Sequence, residues 1–133
     1  IEKFIEGLGE RFNIREIAVD RWGAVQMVQN LEGMGFTIVP FGQGFKDMSP
    51  PTKELMKLTL EKRIAHGGHP VLRWMMDNIF IRTDPAGNIK ADKEKSTEKI
   101  DGAVATIMAL DRAIRCGNDN GASVYDTRGI LFI

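Results

Sequence analysis

With 133 residues, 43% of them hydrophobic and 27% charged, the chain has the length of one ordinary domain and the composition of a folded rather than a disordered protein. Its 18 basic and 18 acidic side chains cancel, which argues against a whole-surface nucleic-acid binder while leaving room for a local basic patch. A single cysteine excludes an intramolecular disulfide framework and a multi-cysteine zinc site, and no apolar run approaches the roughly 18 residues of a membrane span.

The chain opens on Ile1 rather than Met, with no charged–apolar–small signal pattern, so it reads as a fragment or a processed product whose function is shared with a piece outside it. The charge balance is uneven. Residues 1–45 hold four basic and six acidic side chains, residues 46–115 thirteen and ten, and the tail one and two. The middle of the chain is therefore mildly basic.

Residues 2–12 predict a short amphipathic helix, with Phe4, Ile5, Leu8 and Phe12 on one side. Ile14 to Val19 predicts a strand, because Ile17, Ala18 and Val19 form the continuous apolar run of a buried parallel strand, which ends at Asp20. Trp22 to Gly33 predicts a helix, with Val25, Val28 and Leu31 at helical spacing and Gly33 and Gly35 as stop signals. Thr37 to Phe41 is a second strand. Strand–helix–strand implies parallel pairing and a right-handed crossover.

The Gly- and Pro-rich stretch 42–51 predicts a loop, with Ser49 as N-cap of a helix that carries Leu55, Leu58 and Ile64 and ends at HGGHP. A shorter helix follows over Val71 to Ile79. Ile79–Thr83 and Asn88–Asp92 flank the turn signal DPAGN, which predicts a β-hairpin. Ser96 or Thr97 is the expected cap of the last helix, which runs to Cys116 with Gly117 as its stop. The tail, residues 117–133, starts as a linker and ends apolar, as a segment that docks does.

Two carboxylates stand out. Ligands of open α/β sheets gather at the carboxyl ends of strands, where Asp20 is expected; the alternative is that it caps the next helix. On a helical wheel with Ile100 at zero, Val104, Ile107 and Ile114 lie within about 40° and Asp101 at about 100°, on the edge of the apolar face. There it is either a site carboxylate or an acid favoured by the helix dipole. Gly102 and Ala103 beside it permit close backbone approach.

Asp111 falls nearer the middle of that face and is expected to be buried against an arginine, Arg73 or one beside Arg112. His66 and His69 share an H-x-x-H spacing, but two glycines make the segment a turn rather than a metal site. Cys116 reads as a small hydrophobe and the seven methionines as core filler. The run KADKEKSTEK (90–99) is either a solvated face or a phosphate-contacting edge, with Lys93, Lys95 and Lys99 just before Asp101.

AVDRWGA (18–24), GQGFKDMSPPTKELM (42–56), HGGHPVLRWMMDN (66–78), KSTEKIDGAVATIMALDRA (95–113) and the closing SVYDTRG together resemble the carboxyl-terminal nuclease domain of tailed-phage large terminase subunits, over nearly the whole chain and in the same order. The resemblance implies an α/β, RNase H-like fold. Here its sheet would be incomplete: a βαβ unit, an extra hairpin and a C-terminal helix over residues 1–116, with 117–133 as tail.

The same resemblance implies an endonuclease that cuts concatemeric double-stranded viral DNA with two divalent ions, Mg2+ or Mn2+, held by three acids. Asp20 matches the second acid and Asp101 the third. The first acid and the ATPase would lie upstream of Ile1. Lys95 or Lys99 would neutralise the phosphate. Portal protein and the small terminase subunit would be partners, in the host bacterial cytoplasm at the procapsid portal, with no membrane involved. On this basis the piece alone should cleave little, and its open sheet edge should promote self-association or partial disorder. Two alternatives stay open: a non-catalytic module that docks on a portal ring, and a different RNase H-like enzyme such as a resolvase or transposase.

Overall fold

The computed structural model describes residues 1–116 and 131–132. The chain divides into two units, Ile1–Gln43 and Gly44–Ile133.

In the first unit, α1 (Glu2–Arg11) precedes β1 (Ile17–Asp20), α2 (Val25–Gly33) and β2 (Ile38–Phe41). The strands pair in parallel, with Ile17 opposite Ile38 and Asp20 opposite Phe41, as the strand–helix–strand order predicts. Ile5 and Leu8 of α1 are half-buried, and the Asn30 amide of α2 donates to Glu2 Oε1 at 2.9 Å. Phe4 and Phe12, expected on the same apolar side, are 72% and 58% exposed. Phe12 lies beyond the last helical residue, in extended backbone, so it no longer follows the helical wheel. In α2 the apolar spacing is graded: Leu31 is buried, Val28 half-buried and Val25 exposed.

The second unit is built on α3 (Phe45–Leu60) and α5 (Asp101–Cys116), which pack on each other. Met48, Leu55 and Leu58 of α3 and Ala103, Val104, Ile107, Met108 and Leu110 of α5 are buried, together with Ile100. The 3.6-residue spacing of these apolar positions gives each helix one continuous stripe to bury. The antiparallel hairpin β4 (Ile81–Thr83) and β5 (Ile89–Ala91) turns through DPAGN, as predicted, and β5 packs on α3. α4 (Pro70–Asp77) packs on α5.

Helix α3 corrects the sequence reading. It starts at Phe45, ahead of both prolines, and Pro50 and Pro51 lie inside it. Its first turn is already closed by the Met48 N–H donating to the Gly44 carbonyl at 3.0 Å. The prolines therefore extend a nucleated helix, at the expense of two backbone hydrogen bonds in the second turn. Ser49 is not a cap: it is buried, and its hydroxyl oxygen accepts from the Ile89 N–H of β5 at 3.0 Å. Ile64 is not on this helix either. The chain leaves the helix at Glu61 and passes through Lys62 in the left-handed region (φ 55), and Ile64 enters β3 (Ile64–Ala65).

Strand β3 pairs in parallel with β6 (Leu131–Phe132), so the backbone at the apolar chain end docks within this unit. The remaining tail residues and the proposed stop at Gly117 lie outside the described residues. No helix among the described residues is long and apolar enough to cross a membrane.

Candidate functional site

Asp20 sits at the carboxyl end of β1, exposed, in register with Phe41. Its backbone is fixed by strand pairing, which continues one residue further through Arg21 N–H to the Phe41 carbonyl at 3.1 Å. The carboxylate does not cap α2. That helix begins at Val25, after Ala24, with no side-chain cap, and Asp20 Oδ1 instead accepts the Trp22 N–H at 3.2 Å. This two-residue bond is an aspartate turn, a local alternative to helix capping. It ties the side chain to the loop Arg21–Gly23, in which Trp22 is 86% exposed.

Asp101 is the first residue of α5. Position N1 lies in the turn where the helix dipole favours a negative charge, and the Ile100 carbonyl closes that turn by accepting from Val104 N–H at 3.0 Å. Neither Ser96 nor Thr97 caps the helix, contrary to expectation. The Ser96 hydroxyl faces the hairpin base, accepting from Phe80 N–H and donating to the Asp92 carbonyl, and Thr97 donates to Asn78 Oδ1. Gly102 allows the close approach anticipated for it: its N–H donates to Met75 Sδ of α4 at 3.1 Å. The Asp101 carboxylate, with 67% of its side chain exposed, lies 3.3 Å from Lys93 Nζ.

The lysines of 90–99 separate by partner. Lys90 lies over the Phe45 ring at 4.9 Å and Lys95 over the Phe80 ring at 5.6 Å, while Lys93 meets Asp101 and Lys99 is exposed. Sequence reasoning passed over the residue that organises them. Asp92 is 6% exposed, and its Oδ1 accepts from Glu94 N–H at 2.9 Å and Lys95 N–H at 3.2 Å. An Asp at the end of a strand, four residues before a Ser, was the signal available for that turn.

The residues set aside as structural divide by environment. His69 is the N-cap of α4, accepting from Val71 N–H at 3.2 Å, and His66 Nδ1 accepts from Gly68 N–H at 3.1 Å. Between them Gly67 and Gly68 both hold positive φ, 64° and 69°, a pair of conformations that side chains with a Cβ adopt only at a cost. Asp111 is buried as expected, and of the arginines expected beside it the partner is the one near Arg112: Arg115, whose Nε donates to both oxygens at 2.9 Å. Cys116 accepts from Arg112 Nη2 at 3.3 Å. Met48 and Met108 are core residues, whereas Met34 and Met56 are 41% and 50% exposed.

A mostly apolar cleft of about 410 Å3 opens among α3, α4 and α5, lined by Leu55, Thr59, Ile64, Leu72, Met76 and Thr106 among others, but by neither Asp101 nor Lys93. Among the described residues, no three His, Cys, Asp or Glu side chains converge to hold a metal ion. What the two candidate acids offer is exposed carboxylate oxygen. That is the donor type of Mg2+, which keeps several waters and takes only one or two carboxylates.

The terminase large subunit, endonuclease domain family matches residues 1–116. The chain is 42% identical over 104 residues to the large terminase subunit of Enterobacteria phage HK97, covering 77% of this chain and 21% of that protein. It is 35% identical over 103 residues to protein YmfN of Escherichia coli strain K12, covering 76% and 23%. The crystal structure of the HK97 large terminase superimposes with a TM-score of 0.73 at 39% identity, over 85% of this chain and 25% of that one. The chain thus spans about a fifth to a quarter of the length of these relatives. With its α/β architecture and this family match, the chain belongs to the endonuclease domain family of phage terminase large subunits.

Proposed function

We propose that the chain supplies two metal-ligating acids, Asp20 and Asp101, to an RNase H-like endonuclease in the large subunit of a DNA-packaging terminase. Its substrate is concatemeric double-stranded viral DNA. The observation that carries this reading is the family match over residues 1–116, with one exposed carboxylate closing a parallel strand and the other opening α5.

Carboxylate oxygens of this kind suit Mg2+ or Mn2+. When bound, a pair of such ions lowers the pKa of the attacking water and stabilises the leaving oxygen. The chain's own part is positioning. The Trp22 N–H orients Asp20, and Asp101 is carried on the first turn of α5, at the edge of its buried face. Lys95 and Lys99 are the phosphate contacts in this reading, which need only local charge rather than a basic whole surface.

A third acid, the ATPase, the portal protein and the small terminase subunit complete the machine in the same reading, which places it in the bacterial host at the procapsid portal.

In the intact protein that carries this domain, Asp20→Ala and Asp101→Ala should each abolish Mg2+- or Mn2+-dependent plasmid nicking while the variants stay folded. Wild-type nicking by both variants would remove the two acids from the mechanism. The 133-residue chain alone should nick little or not at all. Robust nicking by it, lost in the same two variants, would show that the site is complete without a third acid from elsewhere.

A further inference from the structure

We propose that Lys93 is a positioning residue for Asp101: it is the counter-ion of that carboxylate until a divalent ion takes the carboxylate, and it then turns to a phosphate of the bound DNA. This rests on the reading of Asp101 as a metal ligand given above.

The geometry selects Lys93 from three lysines that precede Asp101. Its Nζ stands 3.3 Å from Asp101 Oδ1, whereas Lys95 lies over the Phe80 ring. Lys93 is also delivered by a built turn. Asp92 is buried, its side chain takes the N–H groups of Glu94 and Lys95, and its carbonyl takes the Ser96 N–H at 3.0 Å. The preceding residue is anchored too, since the Asp92 N–H donates to the Phe80 carbonyl at 2.8 Å. The backbone on both sides of Lys93 is thereby held, and only its side chain is free to move.

The energetics favour exchange over permanence. The two side chains are 48% and 67% exposed, and pairs this wet are weak. A divalent cation out-competes a single ammonium for a carboxylate, and its charge then repels the ammonium. A lysine has a compact charge on a flexible four-carbon stem, so it can leave without disturbing the turn beneath it. The nearest anion to receive it would be the DNA backbone beside the same carboxylate.

The test compares the 133-residue chain with its Lys93→Gln and Lys57→Gln variants. Mn2+ is titrated while paramagnetic broadening of the Gly102 and Ala103 amide resonances is followed. Lys93→Gln should bind Mn2+ about two- to fivefold more tightly, since a competing ion pair is gone, and Lys57→Gln, which removes an exposed lysine of α3, should match wild type. A structural lesion would instead weaken binding. In a second arm, a short DNA duplex is titrated in Ca2+ at several salt concentrations, and Lys93→Gln should lower the log–log salt slope by about one. Unchanged or weaker Mn2+ binding in Lys93→Gln overturns the proposal, and so does an unchanged salt slope. Absence of broadening near Asp101 in all three proteins, repeated when the intact protein that carries this domain is titrated, removes Asp101 as a ligand and takes the functional reading down together with this one.

Discussion

The Gly102 N–H donates to the sulfur of Met75, and a β-carbon placed on Gly102 would lie 2.6 Å from that sulfur. The start of α5, and with it Asp101, is therefore seated on α4 at a contact where a side chain fits only if Met75 shifts. Gly102→Ala should gain up to about 1 kcal/mol of helix propensity but lose about 1–3 kcal/mol to overpacking, for a net destabilisation of about 1 kcal/mol. Urea denaturation gives the value. In a Met75→Ala background the overlap is gone, and the same substitution should become neutral or stabilising. Equal effects in both backgrounds would show that the contact does not constrain the helix.

Asp111 and Arg115 are joined by two 2.9 Å bonds, yet their burial is unequal: 6% of the Asp111 side chain is exposed against 54% for Arg115. Removing the arginine leaves a buried carboxylate without its partner, whereas removing the aspartate frees a guanidinium that water can reach. Arg115→Ala should therefore cost more than Asp111→Ala, by about 1 kcal/mol after allowing for the solvent exposure of the arginine. Thermal unfolding of the two variants gives the order, and the reverse order would contradict it.

The hydroxyl of buried Ser49 is the acceptor that ties the hairpin to α3 through the Ile89 N–H. Ser49→Ala should cost about 1–2 kcal/mol, because a part-buried N–H loses its partner. Hydrogen exchange at Ile89 should accelerate more than exchange in the middle of α5. Uniform acceleration across the chain would mean that the bond is not a local tie.

Asp84 opens the hairpin turn, with Asn88 donating to it from both side chain and backbone, and these bonds hold its pKa below the ordinary 3.8. A carboxyl whose pKa falls on folding stabilises the folded state fully above the ordinary value. That contribution is lost as pH drops from 3.8 through the lower folded value. Hairpin resonances should lose dispersion in that acid window, and Asp84→Asn should flatten the response. An identical acid response in Asp84→Asn would place its origin elsewhere.

Much of this architecture can be read from local sequence. Ile17-Ala18-Val19 carries a parallel strand because both of its faces need cover, and DPAGN turns a hairpin because its residues suit that backbone. The apolar stripe of α5 needs no partner to be recognised. What escapes is decided by contacts distant in sequence. Pro50 and Pro51 mark a helix start in local terms, but a first turn closed on Gly44 carries α3 through them. Ser96 has the chemistry of a cap, yet Phe80 and Asp92 take its hydroxyl. Both candidate acids were legible by position and by resemblance. Lys93 was legible only together with Lys95 and Lys99; which of them meets Asp101 was not, because a buried Asp92 sets the turn and the turn selects Lys93.

Trp22 shares a hydrogen bond with Asp20 and is 86% exposed, and the chain has only one other tryptophan, Trp74, at 46%. A tryptophan whose backbone is bonded to a candidate ligand in this way is a built-in optical reporter. In a Trp74→Phe background, fluorescence would come from one indole whose backbone amide is bonded to that carboxylate. An ion or strand that breaks the Trp22 N–H bond to Asp20 should then be reported by a change in Trp22 emission, without an attached dye.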